Sequence, residues 1–208
     1  MPVIYTTVGP PASPSVSDGV AQTALGGKQG DAIVSELHGK WWTACYRGRV
    51  YIGSTVVTGS SLTTQSTTTL TFGLWNPGTG NVVLEPITYD LGGIATTFVA
   101  GTIFAKFSNQ TPGTTTKITA TAMGLNVSAS AGPASAQIGQ VLSAATITAA
   151  TVFLPVISLT SATVSVGNFH YEFDGKVALP GLGLMDFGAN PTQTNTLFQS
   201  VVWAEWPA

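Results

Sequence analysis

The chain has 208 residues, 7 Lys and Arg against 9 Asp and Glu for a net charge of −2, 44% hydrophobic and 8% charged residues, and a mean hydropathy of +0.32. Seven unclustered cations make no phosphate-binding surface, so nucleic acid is not an expected partner. A charged fraction so far below the ~25% of ordinary soluble domains leaves an exterior of the kind other subunits cover, and the single cysteine, Cys45, excludes an intrachain disulfide.

Residues 1–30 are rich in Pro, Gly, Ser and Thr, with Pro10, Pro11, Pro14, Gly26 and Gly27 among few large apolar groups. Such a segment cannot stabilise itself, because ordering each residue costs about 1–2 kcal/mol of backbone entropy. It is therefore expected to be an extended arm that docks on a neighbouring surface through side chains such as Tyr5, Val16 and Leu25. It carries no Lys or Arg before Lys28 and no apolar run of signal-peptide type, which predicts folding in a reducing cytoplasm. From Asp31 to Gly48 the charges concentrate together with Trp41, Trp42 and Tyr46. The i, i+4 spacing of Trp42 and Tyr46 predicts a short helix closed by Gly48, and the paired tryptophans read as an anchor for the arm. Residues 1–48 are accordingly set apart from a domain of residues 49–208.

That domain reads as strands throughout. Arg49 to Val57 is a first strand, followed by a Ser/Thr-rich connection. Leu70, Phe72 and Leu74 alternate with small polar residues, Asn76, Pro77, Gly78 and Gly80 reverse the chain, and Val82 to Tyr89 resumes the extended pattern. A long strand is expected over Thr97 to Phe107, a turn over Asn109 to Thr116, a strand over Lys117 to Asn126 and a loop over Ser128 to Gln140. The β-branched residues of Val141 to Phe153 predict a strand despite the alanines. Short strands follow at Val156 to Val166, Asn168 to Phe173, Val177 to Leu179 and Leu182 to Phe187. Leu197 to Trp206 is apolar on both faces, with Phe198, Val202 and Trp206 opposite Leu197, Val201 and Trp203, so it belongs at the centre of a sandwich or between subunits. Eight to ten strands with Gly/Pro turns predict an all-β fold: an antiparallel β-sandwich of jelly-roll type with an extended N-terminal arm.

Chemistry has few places to reside. His170, Glu172 and Asp174 recur at every second position and would share a strand face, which is a conceivable ligand set for Zn or Ca. The pattern reads instead as an exposed polar face, with Asp174-Gly175 as the turn after it. No nucleophile, base and orienting group stand at readable spacing, and no phosphate-cradling loop precedes a helix, so neither an enzyme nor a cofactor site is expected.

Three stretches, LHGKWWTACYRGRVYIGST, FGLWNPGTGNVVL and the terminal FQSVVWAEWP, resemble a group of tailed-bacteriophage virion proteins in which an N-terminal anchoring segment precedes a β-sandwich. The resemblance covers roughly residues 35–90 and 180–207. It implies a capsid decoration (cement) protein or a tail or fibre attachment protein, located on the virion, without enzymatic residues. The major capsid protein would be its partner. The two-faced last strand and the charge-poor surface add the expectation of a homotrimer, with Trp41, Trp42, Tyr46, Trp203 and Trp206 as contacts between subunits or with the particle.

Overall fold

Apolar and small polar residues alternate through much of the chain from Val50 to Trp206, and strands of that pattern bury their apolar faces when two sheets close face to face. The computed structural model describes residues 41, 44–45, 48–55, 59–62, 68–93, 99–118, 121–122, 137–148, 152–160 and 168–208. All lie in a unit running from Trp41 to Ala208, which begins ahead of the boundary at Arg49 expected from sequence. The arm, with Tyr5, Val16 and Leu25, lies outside the described residues, as do Trp42 and Tyr46.

The strands are β1 (Val50–Ser54), β2 (Ser60–Leu62), β3 (Thr69–Leu70), β4 (Gly73–Trp75), β5 (Val82–Gly93), β6 (Gly101–Asn109), β7 (Gly113–Ile118), β8 (Thr121–Ala122), β9 (Gln140–Thr146), β10 (Val152–Leu159), β11 (Asn168–Glu172), β12 (Gly183–Asn190) and β13 (Gln193–Pro207). They form two antiparallel sheets. The first has the order β11-β5-β13-β1-β8 with β2 also on β13, and the second β10-β6-β12-β4-β9-β3 with β7 also on β9. The principal pairs are nested: β1 with β13, β4 with β12, β5 with β11 and β6 with β10. First meets last and second meets last but one, as when a long antiparallel hairpin is wound into two Greek keys. This is jelly-roll order.

The core lies between the sheets. Phe72, Leu74, Leu84, Tyr89, Ile103, Phe187, Val201 and Trp203 are among its fully buried members. Tyr89 stacks on Phe187 with centroids 3.8 Å apart, and its hydroxyl donates to Gln199 Oε1 at 3.0 Å. Burial pushes the Tyr89 phenol well above its ordinary range. Two prolines sit inside strands, where they cannot donate to the ladder. Pro86 precedes a bulge in β5 and Pro155 precedes one in β10, the positions at which a missing N–H is tolerated.

Directly after β4, at the start of the turn to β5, Asn76 is completely buried and satisfied. Its Nδ2 donates to the carbonyls of Val82 (2.8 Å) and Leu179 (3.0 Å), while its Oδ1 accepts from Gly78 N. Its backbone N–H donates to Gly183 O and its C=O accepts from Leu182 N. One side chain thus holds the 76–81 turn against the chain entering β12.

Several expectations are corrected. The strand expected over Val141 to Phe153 is broken: β9 ends at Thr146 and β10 begins at Val152 on the opposite edge of the second sheet. The physical reason is visible at Thr148, whose backbone N–H and C=O are taken by the side chain of Gln110 rather than by a strand. Uniform Ala/Thr composition conceals that break. The turn over Asn109 to Thr116 is shorter than expected, because β6 reaches Asn109 and β7 starts at Gly113. Val177 to Leu179 is no strand; Leu179 makes an isolated bridge to Leu84. β13 owes its two apolar faces to a central place between β5 and β1.

Replacing Trp203, fully buried and stacked on Tyr51 at 5.7 Å, by Ala should destabilise the fold by about 3–5 kcal/mol in urea titration. A loss below 1 kcal/mol would show that the ring is not a core element.

Candidate functional site

The outer face of the first sheet carries the segment that was expected to anchor the arm. Cys45 N donates to Trp41 O at 2.9 Å, forming one helical turn, and Gly48 ends it at φ 66. Trp41 and Cys45 pack with Ala44 onto Val50, Ile87, Val202, Ala204 and Trp206. Trp41 and Trp206 are therefore seated on this sheet, and the Trp206 indole donates to Glu85 Oε2 at 2.7 Å. Trp203 is a correction: it has no exposed surface and belongs to the core, where its indole donates to Glu205, so it offers nothing to a partner. Burial raises the Cys45 thiol above its ordinary range and so keeps it a poor nucleophile.

His170 does not join Asp174 in a ligand set. β11 ends at Glu172, and Asp174-Gly175, both at positive φ, form a tight turn closed by Lys176 N donating to Phe173 O at 3.0 Å. Instead His170 faces Asp90 across the β11–β5 pair, with Nδ1 2.5 Å from Asp90 Oδ1 and Nε2 3.3 Å from Glu172 Oε1. Both neighbours are acceptors, so only the imidazolium satisfies both, and the bond to Asp90 is the chief cause that raises the ring's pKa. Among the described residues no group of three or more His, Cys, Asp or Glu is placed to hold a metal ion.

The second sheet carries two features that sequence reading passed over. At an edge that pairs with no further strand among the described residues, β10 exposes Val152 (59%) and Phe153 (39%), with Phe153 edge-on to Phe104 of β6 at 6.4 Å. Toward its centre, Lys106 of β6 lies directly opposite Asp186 of β12, with Nζ 2.5 Å from Oδ2 and the two side chains 1% and 0% exposed. The contact is close but out of hydrogen-bond alignment: among the described residues neither Asp186 carboxylate oxygen has an aligned partner. Burial pushes the Asp186 carboxyl upward, against the opposing pull of Lys106. A signal for this pair does exist in the sequence. Each is the lone charge in its strand, GTIFAKFSN and GLMDFGAN.

No family model, curated protein or solved structure matches the chain.

The His170 geometry fixes a pH dependence. Because the folded pKa is raised, the contribution of His170 to stability is complete below the ordinary imidazole value of about 6.5 and fades as pH rises through the higher folded value. An NMR titration should place the ring above about 6.5, and Asp90→Asn should bring it back down. An unshifted ring in the wild type would contradict the contact.

Proposed function

We propose that this chain is a structural component of a phage particle, a capsid decoration protein that attaches through its N-terminal arm and associates with itself as a homotrimer. The observation that carries this reading is the free apolar edge of β10, where Val152 and Phe153 stand exposed on a chain with only 16 charged residues in 208. A strand edge with unpaired backbone groups and a large ring is a surface that isolated proteins protect with charge, proline or a covering segment. β10 has Pro155 and no charge. The jelly-roll order adds support by analogy, since viral capsid domains use it, and the resemblance of the terminal segments points the same way.

On this reading two regions share the work. Residues 1–30 dock on the shell, while the edge at β10 meets neighbouring copies. With so few charges, binding to the particle should depend only weakly on salt.

The test separates the two regions. Removal of residues 2–30 should leave the β signal in circular dichroism unchanged and abolish co-sedimentation with shells. The double substitution Val152→Glu, Phe153→Glu should keep the melting temperature but weaken self-association at least about tenfold in sedimentation, the equivalent of roughly 1.4 kcal/mol. A wild type that stays monomeric at micromolar concentration would remove the trimer. A truncated protein that binds shells undiminished would remove the arm, and binding of the wild type to cells but not shells would replace decoration by host attachment.

A further inference from the structure

Neither assembly nor packing calls for the Lys106–Asp186 pair. A charged pair held out of water loses its hydration, and here both carboxylate oxygens of Asp186 lack an aligned hydrogen-bond partner among the described residues. Both side chains are shielded from bulk solvent. Gly73 of β4 pairs with Asp186, and a Cβ at Gly73 would come within 2.7 Å of Leu70 Cδ1 and 3.0 Å of Asp186 Cα, so the bare glycine leaves room for the buried Leu70 at the strand position that pairs with Asp186.

We propose that Lys106 and Asp186 condense to an isopeptide bond that joins β6 to β12 covalently. One proton passes from Nζ to the carboxylate, giving a neutral amine and a carboxylic acid. The amine lone pair adds to Cγ, a Cγ–O bond breaks, and water leaves, so ammonium and carboxylate become one amide plus one water with no oxidant or cofactor.

Three features favour the step. Register holds amine and carboxyl opposite each other on hydrogen-bonded strands, so the entropy of bringing the two reactants together is already lost in folding. Burial favours the protonated carboxyl that addition needs. The product is neutral and loses the cost of two buried charges, and the water that would hydrolyse it is excluded. The bond would close a loop from Lys106 to Asp186 that contains β7 to β11, and it would staple the second sheet across its middle.

Intact mass of the full-length protein under denaturing conditions tests this directly. The wild type should be lighter than its sequence by one water, and Lys106→Arg should show its full sequence mass. Trypsin should fail to cut after Lys106, so that the peptides 50–117 and 177–208 appear as one branched species. A wild type at full sequence mass with cleavage after Lys106 overturns the proposal whether or not the variant folds. So does a water loss confined to peptide 118–176, where succinimide formation at Asp174-Gly175 would place it.

Discussion

The pairing of β5 with β13 is the constraint on which the rest depends. It runs from Val82 opposite Pro207 to Gly93 opposite Leu197, the longest pairing among the described residues, interrupted once by a bulge, and it lies in the middle of the first sheet. β11 is added on the β5 side and β1 on the β13 side, so both take their register from it. Because strand side chains alternate, a slip of one residue here would turn Leu197, Val201 and Trp203 out of the core and put Val202 and Ala204 into it. The bulge at Ile87 is part of that specification. It shifts the face presented by β5 between Leu84 and Tyr89, so both point into the core although their separation is odd, while Ile87 joins the outer cluster with Trp41.

Much of this was legible in the residues. The hairpin around Asn76 to Gly80, the two faces of the last strand and the Asp174-Gly175 turn each rest on a local rule, and local rules survive folding. What escaped was set by distant partners. Nothing between Val141 and Phe153 marks the point where one strand stops and another begins, because Gln110, far off in sequence, supplies the bonds at Thr148. Trp203 was read both as a core ring and as a contact, and only its place between sheets decides for the core. Val152 and Phe153 look like core residues in a sequence and are exposed because β10 ends up at an edge.

Buried polarity is distributed unevenly. In the first sheet it is satisfied: Glu205 accepts from Ile138 N, Gly139 N and Trp203 Nε1, and Gln199 links Tyr89 to Ser60. Those networks fix positions, since each acceptor has its donors at good distance. On the second sheet, Lys106 and Asp186 meet in burial, and among the described residues neither carboxylate oxygen has an aligned hydrogen-bond partner. The contrast separates polar groups that serve geometry from a pair whose chemistry is open.

Nesting has a temporal side. A strand order in which first meets last means that β1 has no partner on its β13 flank until β13 leaves the ribosome. The inner pair, β6 with β10, can form sooner, and the winding then closes outward from it. Contacts so distant in sequence are closed late and at high entropic cost, which makes folding slow relative to domains built from local contacts. During synthesis both faces of β1 are bare, so a growing chain of this kind spends its longest exposed interval with Val50 and Tyr51 waiting for Ala204 and Trp203.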